Sequence, residues 1–254
     1  MTIADALFDL RGKTALITGG SRGLGKAIAT AFASQGTNLV IASRKLEACV
    51  AVARELEQAH GVQVLPLGIN VKDWSQCQAL VEAAYERFGQ VDILVNNAGN
   101  SPAYPNLESV SESLIDSVID LNLKAPFRLM ALVGTRMAAG AGGSIINISS
   151  ASSIRPTAML LHYAAAKAGL NSLTEGFAKA LGPKVRVNAI LAGPFATDVF
   201  AGWDPDEFQR TMADPLFLKR AGQPSEIAGA ALYFASQASS FTTGALLRVD
   251  GGVP

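Results

Sequence analysis

The sequence predicts an α/β protein with a seven-stranded, parallel, doubly wound sheet and helices on both of its faces. Short runs rich in β-branched residues alternate with longer helical stretches over most of the 254 residues. Strand runs such as TALIT and NLVIAS are apolar on both faces. Because strands of this kind, separated by helices, pair through right-handed crossovers, the alternation indicates a parallel sheet.

Each element follows from its local pattern. Strands are predicted at residues 14–18, 38–43, 62–69, 91–99, 143–150, 185–193 and 246–252. Helical periodicity or composition marks residues 45–60, 73–88 and 111–138. No low-complexity linker interrupts the series, and α/β folds of this length are often single domains. We therefore predict one domain over residues 1–254.

Composition and charge exclude several classes of function. Lys plus Arg and Asp plus Glu each total 21, and this balance does not favour nucleic acid or a membrane surface. Every long apolar stretch is interrupted by charged residues, so no membrane-spanning segment is predicted. Asp5 and Asp9 stand where a secretory signal would have a basic start and an apolar core. We expect a cytoplasmic protein.

The cysteines and histidines do not predict a metal site or a disulfide framework. Cys49 and Cys77 lie in predicted helices and are far apart in sequence. His60 and His162 lack companion ligands at the short spacing that a zinc site needs. No structural metal is expected, and His162 is interpreted as a solvated helix residue.

A glycine-rich turn follows the first predicted strand. In TGGSRGLG, residues 18–25, the glycines Gly19, Gly23 and Gly25 allow a tight turn and a close backbone approach to a pyrophosphate. The helix that begins there directs its N-terminal amides and its dipole toward negative charge. Such a turn, behind a strand in a βαβ unit, indicates a dinucleotide site.

The spacing T-G-x-x-x-G-x-G resembles the fingerprint of the short-chain dehydrogenase/reductase family, in its single-domain branch. NNAG, residues 96–99, resembles the second signature of that family, and the similarity runs from Gly12 to Gly252. The resemblance, which is nearest to 3-oxoacyl-(acyl-carrier-protein) reductases, implies a Rossmann fold. It also implies cofactor binding by Gly19, Ser21, Arg22, Gly23, Leu24, Gly25, Ser43, Arg44, Asn70, Val71, Asn97, Ala98, Gly99, Tyr163, Lys167, Gly193, Pro194 and Thr197.

The end of the second strand favours NADP(H) over NAD(H). An NAD site usually places a carboxylate there, but this chain has Ser43 and Arg44, and no acid precedes Glu47. Arg22 projects from the glycine turn nearby. We predict that the two arginines bracket the 2′-phosphate of NADP, with the Ser43 hydroxyl as a further donor. NAD(H) remains the alternative.

Tyr163 and Lys167 are four residues apart in an alanine-rich helix, so their side chains share one face. Taken alone, the pair is typical of a packed tyrosine covered by a lysine stem. The resemblance instead implies catalysis by both, together with Ser150, thirteen residues before the tyrosine, and Asn122. From the strand pattern alone, Ser149 or Ser150 faces the site.

The implied reaction is the reduction of a carbonyl to a secondary alcohol by hydride transfer, or the reverse. Tyr163 would donate the proton and Ser150 would polarise the carbonyl oxygen. Lys167 is expected to lower the pKa of the phenol and to hold the nicotinamide ribose. Asn122 would position a water.

Two segments leave the substrate open. Ala192 stands where the family commonly has proline, which leaves the path of the following loop undetermined. Residues 195–218 correspond to the family's substrate lid, and its aromatic residues indicate a partly apolar carbonyl or alcohol substrate. Those aromatics are Phe195, Phe200, Trp203, Phe208 and Phe217.

Three alternative functions remain to be distinguished. An NAD-linked secondary alcohol or polyol dehydrogenase differs in cofactor, and a silent dinucleotide-binding sensor would bind cofactor without turnover. A sugar-nucleotide epimerase would need a larger C-terminal domain. The resemblance further implies a homo-oligomer, a dimer or tetramer, through the helices that carry Asn122 and Tyr163.

Overall fold

Seven parallel strands form the centre of the protein, seen in a computed structural model that describes residues 3–198, 202 and 204–254. The strand order is β3-β2-β1-β4-β5-β6-β7. The strands are β1 (Thr14–Thr18), β2 (Asn38–Ser43), β3 (Val64–Gly68), β4 (Ile93–Asn96), β5 (Gly143–Ser150), β6 (Val185–Ala192) and β7 (Leu246–Val249). The order reverses between β1 and β4, and the carboxyl ends of these strands define the edge where such sheets bind ligands.

Helices cover both faces of the sheet. The helices of the described residues are α1 (Ile3–Leu7), α2 (Gly23–Ser34), α3 (Leu46–His60), α4 (Trp74–Phe88), α5 (Glu112–Ile119), α6 (Ala125–Ala139), α7 (Leu161–Leu181), α8 (Pro205–Phe208) and α9 (Ala228–Ala235). One apolar core packs α2, α3 and α9 against the sheet, and a second packs α4, α6 and α7 against the other face. The buried helix faces follow the periodicity of the sequence because apolar side chains gain free energy by leaving water.

The predicted fold class is confirmed. The bounds of β1, β2 and β5 agree with the prediction. The remaining strands end earlier, and β3 and β4 also begin two residues later than predicted. The helix predicted over residues 111–138 is interrupted, however. A π-helical turn at Asp120–Lys124 separates α5 from α6.

Two absences hold for the described part of the chain. None of its helices combines the length and the apolar character needed to cross a bilayer. Within the same residues, no group of three or more His, Cys, Asp or Glu side chains is arranged to hold a metal ion.

Candidate functional site

The glycine turn between β1 and α2 is closely packed against the end of β4. Gly19 has φ of +67°, which favours glycine, and a Cβ there would lie 2.8 Å from Asn97 Nδ2. A Cβ on Gly25 would lie 2.3 Å from the carbonyl oxygen of Gly19. Leu24 packs its side chain against the core beneath the turn. Only glycine therefore fits at both Gly19 and Gly25 without a shift of the backbone.

The NNAG segment holds this turn in place. Asn97 Nδ2 donates to the carbonyl oxygens of Thr18 and Gly19 at 2.9 and 3.2 Å. The backbone amides of Asn97 and Ala98 both donate to the Thr18 hydroxyl at 3.1 Å. The motif thus joins two strands that are far apart in sequence, and it leaves Gly99 exposed at the edge of the sheet.

The end of β2 carries a small network of hydroxyl groups next to Arg22 and Arg44. The Ser21 hydroxyl donates to Ser43 Oγ at 3.0 Å, and Ser43 Oγ also lies 3.1 Å from Cys49 Sγ. Arg22 and Arg44 follow these two serines in sequence, and both are exposed. Among the described residues neither guanidinium group has a hydrogen-bond or ion-pair partner. This corner therefore presents two unpaired positive charges and hydroxyl groups to solvent.

The end of β3 is held by its own side chains. The backbone amide of Asn70 donates to Gln76 Oε1 at 2.8 Å, and the side-chain oxygen of Asn70 accepts from the backbone amide of Lys72 at 3.3 Å. Val71 is buried beside them. The loop from Asn70 to Val71 is thus fixed next to the exposed corner of β2.

Ser150 and Tyr163 are brought together by β5 and the first turn of α7. Burial raises the pKa of Tyr163 above its ordinary value, and the neighbouring Ser150 hydroxyl partly opposes this rise. Ser149, the other candidate from the strand pattern, is engaged elsewhere, because its hydroxyl donates to Asn171 Oδ1 at 2.7 Å. Of the two serines, Ser150 is therefore the one left to act beside Tyr163.

Lys167 is buried behind the tyrosine. Its side chain is 3% exposed, its Nζ donates to the carbonyl oxygen of Ile148 at 2.8 Å, and Nζ lies 5.7 Å from the centre of the Tyr163 ring. Burial lowers the pKa of Lys167 to about 7. Burial disfavours charge on both groups and raises the pKa of Tyr163, so the lowering of that pKa by Lys167 stays a prediction.

Asn122 lies in the π-helical turn and is fully buried. Its Nδ2 donates to the carbonyl oxygens of Val118 and Asn100, each at 3.0 Å. Its Oδ1 has no partner among the described residues, and it lies 2.8 Å from the position of a Cβ on Gly99. That same position is 3.6 Å from Lys167 Nζ, so the amide oxygen and the ammonium border one small space beside Gly99.

The loop after β6 returns to the glycine turn. β6 pairs with β7 through Ala192, so an alanine in place of the usual proline leaves the strand intact to its end. Beyond Gly193, the carbonyl oxygen of Pro194 accepts from the Gly222 amide at 3.0 Å. Thr197 Cγ2 then lies 3.5 Å from the Cβ position of Gly23.

The aromatic residues of the 195–218 segment do not share one environment. Phe195 is 5% exposed and belongs to the core beside α9, so it anchors the segment and is not free to contact substrate. Phe217 is 73% exposed, and its amide donates to the carbonyl oxygen of Gly252. Phe208 is half-buried. Phe200 and Trp203 lie outside the described residues.

Two residues of the site region were missed or misread at the sequence level. His162 is 7% exposed and not solvated, because its ring lies 5.3 Å from that of Tyr104. Tyr104, in the segment after β4, is 5% exposed and was not singled out. A lone tyrosine in an irregular segment carries no periodic signal, so only the contacts reveal it.

These features define a class of protein. A doubly wound parallel sheet, a glycine turn at the reversal of strand order and a buried Ser-Tyr-Lys group are together typical of nucleotide-dependent oxidoreductases.

Comparison with known proteins gives the family. The family model described as Enoyl-(Acyl carrier protein) reductase matches residues 19–254. The chain is 38% identical to L-rhamnose 1-dehydrogenase (NAD(P)(+)) of Azotobacter vinelandii, with 95% of this chain and 96% of that protein covered. It is 36% identical to a 3-oxoacyl-(acyl-carrier-protein) reductase of Thermotoga maritima, with 96% and 98% covered.

Solved structures agree. A 7α-hydroxysteroid dehydrogenase complexed with NADH and 7-oxo glycochenodeoxycholic acid superposes with a TM-score of 0.93 at 33% identity, over 99% of this chain and 98% of that one. A 3-oxoacyl (acyl-carrier-protein) reductase from Agrobacterium tumefaciens with NADP bound gives a TM-score of 0.93 at 31% identity, over 99% and 98%. The chain belongs to the short-chain dehydrogenase/reductase family of oxidoreductases.

Proposed function

We propose that the protein is an NADP(H)-dependent reductase that converts a ketone or 3-oxoacyl thioester to a secondary alcohol. The observation that carries this proposal is the buried Lys167, whose Nζ lies 5.7 Å from the centre of the Tyr163 ring and donates to Ile148 on β5, the strand that also carries Ser150. Together these groups provide a proton donor, a second donor to the same oxygen and a source of protons.

The chain has the features that a dinucleotide requires. Gly19 and Gly25 leave a surface that any Cβ would fill, at the N-terminus of α2, where amides and the dipole favour a pyrophosphate. When bound, the nicotinamide supplies or accepts a hydride at the substrate carbon. Lys167 would hold the nicotinamide ribose and Thr197 the carboxamide.

The proton would come from Tyr163. Because burial raises its pKa, the phenol is protonated at neutral pH and can give its proton to the carbonyl oxygen. Ser150 would donate a hydrogen bond to that oxygen and so stabilise the charge that develops on it. Lys167, with a pKa of about 7, can return a proton to Tyr163, and Asn122 Oδ1 would hold a water on that path.

Preference for NADP(H) is proposed from the β2 corner. Arg22 and Arg44 are exposed and unpaired among the described residues, while Ser43 adds a hydroxyl. Two guanidinium groups at that place match a 2′-phosphate, which accepts charge-assisted hydrogen bonds. An NAD-linked alcohol or sugar dehydrogenase is the second candidate, because the similar rhamnose enzyme is named for NAD(P)(+) and the superposed steroid enzyme holds NADH.

The remaining parts of the proposal are a substrate lid, a homo-oligomer and a cytoplasmic location. The lid is residues 195–218 in a single domain over residues 1–254. The oligomer, a dimer or tetramer, is supported by an exposed stripe of small residues on α7 that would permit close helix approach. The stripe comprises Ala165, Ala168, Ser172 and Gly176. Sedimentation of the protein as a monomer would contradict the proposed oligomer.

The test is consumption of NADPH and of NADH, followed by absorbance, over a panel of β-keto thioesters, diketones, quinones, ketones, steroids and sugars. Tyr163→Phe is assayed beside the wild type. We expect turnover with at least one carbonyl class, a preference for NADPH, and a loss of at least about a hundredfold in the variant. Tight NADPH binding with no turnover on any substrate would support a silent sensor.

A further inference from the structure

Tyr104 reaches from the segment after β4 to the start of the helix that carries Tyr163. Its hydroxyl donates to the carbonyl oxygen of Ala158 at 2.6 Å and accepts from the Leu161 amide at 3.3 Å. The side chain is buried, with 5% of its surface exposed. One phenol therefore ties both ends of the short turn at Ala158–Leu160, which leads directly into α7.

This contact replaces a missing helix cap. The first amides of a helix have no partner within the helix and are usually satisfied by a side chain at the preceding residue. At α7 that residue is Leu160, which makes no capping hydrogen bond. Tyr104 supplies the acceptor for Leu161 from outside the helix, two residues before Tyr163.

The ring of Tyr104 also supports the next residue of the helix. Its ring centroid lies 5.3 Å from that of His162, and the two ring planes make an angle of 48°. Neither ring nitrogen of His162 has a hydrogen-bond partner among the described residues, so no directional contact of its own anchors this buried side chain. The hydroxyl fixes the backbone of Leu161 and the ring packs against His162, the two residues that immediately precede Tyr163.

We propose that Tyr104 is a positioning residue for the proposed reduction. By fixing the start of α7, it keeps the Tyr163 oxygen in register with the Ser150 hydroxyl, so that both address one carbonyl oxygen. Small displacements of a catalytic group reduce the rate strongly because proton transfer depends on near-attack geometry. This inference rests on the proposed function.

The test compares Tyr104→Phe with Tyr233→Phe. Both variants remove one phenol hydroxyl and keep the ring; the Tyr233 hydroxyl, on α9, lies 2.8 Å from Thr242 Oγ1 and has no part in the site. For Tyr104→Phe we expect kcat to fall about tenfold, an unchanged Kd for NADPH, and a larger primary deuterium isotope effect on kcat with NADPH labelled at the transferred position. For Tyr233→Phe we expect all three quantities to remain at wild-type values.

The isotope effect separates positioning from general destabilisation. If kcat falls only in proportion to the fraction of protein that binds NADPH, and the isotope effect is unchanged, Tyr104 is merely structural and the proposal is wrong. It is equally wrong if kcat is unchanged.

Hydrogen exchange at the Leu161 amide of the wild type provides a measurement that does not depend on the variant folding. Protection of at least about tenfold relative to the unfolded rate is expected from the Tyr104 hydrogen bond, and exchange at the unprotected rate would overturn the inference. Wild-type protein that binds NADPH but reduces no carbonyl would refute the proposed function. The contact with Leu161 is then judged by this exchange alone.

Discussion

The two ends of the candidate site hold their cations in opposite ways. Lys167, beside the tyrosine, is 3% exposed and gives its hydrogen bond to a backbone carbonyl, whereas Arg22 and Arg44, at the β2 corner, are exposed. Burial lowers the pKa of the lysine, whereas the effect of the exposed arginines is screened by salt. The proposed catalytic end thus depends on its fixed surroundings, and the proposed cofactor corner depends on accessible charge.

The largest expected effect follows removal of the buried cation. Lys167→Met should lower kcat/KM by about a hundredfold or more, because proton supply to Tyr163 and the contact with the ribose are both lost. Steady-state kinetics with the best substrate of the panel measures this. Lys26→Met, which removes an exposed lysine paired with Glu55 at 2.8 Å, is the matched control and should have wild-type activity. Equal losses in the two variants would show that burial of Lys167 has no functional meaning.

The glycine turn should be nearly as sensitive. Gly25→Ala places a Cβ 2.3 Å from the Gly19 carbonyl oxygen, so the turn must shift and NADPH affinity should fall by about a hundredfold. Fluorescence titration of NADPH reports the Kd.

The control for the turn is Gly229→Ala, at a helical glycine with no atom within 4 Å of the added Cβ. This substitution should leave the Kd unchanged and stabilise α9 by up to about 1 kcal/mol. An unchanged Kd in Gly25→Ala would remove the turn from the cofactor site.

A smaller, salt-dependent effect is expected at the exposed corner. Arg44→Ala should raise the Kd for NADPH about tenfold and leave that for NADH nearly unchanged, because only NADPH carries the 2′-phosphate. The difference should shrink as ionic strength rises. Arg54→Ala, at an exposed arginine on α3, serves as the control. Parallel changes for both cofactors at Arg44 would argue against a phosphate contact.

The last expected effect is on stability. The pKa of Lys167 is lowered from 10.5 to about 7 in the folded protein, so between these values the unfolded state binds the proton and the folded state does not. The free energy of unfolding of the cofactor-free protein should therefore rise with pH above about 7, by at most about 1.4 kcal/mol per pH unit from this group.

Urea unfolding of wild type and Lys167→Met at pH 7 and pH 9 isolates this contribution. The increase from pH 7 to pH 9 should be larger in the wild type, because only the wild type carries the group whose proton is lost on folding. An identical pH dependence in both proteins would mean that the lysine is solvated.

Local sequence pattern was sufficient for much of this description. Strand and helix positions, the glycine turn and the Tyr163 to Lys167 spacing all depend on residues close together in the chain, where side-chain periodicity and backbone freedom act directly.

Other features were decided by contacts between distant segments. Selection of Ser150 over Ser149 depends on Asn171, and the interruption of the long helix at Asn122 brings its amide to Asn100. The raised pKa of Tyr163 and the lowered pKa of Lys167 arise from burial, which no local pattern reports.

The contact of Tyr104 with the start of α7 is the clearest case. It joins residue 104 to residues 158 and 161, and neither segment contains a motif that predicts the other. By itself, the sequence determined which elements form, because their patterns are local, and through the family resemblance it indicated which residues are proposed to carry the chemistry. Tertiary structure alone decided protonation, orientation and support, because desolvation and hydrogen-bond geometry exist only once the chain has folded.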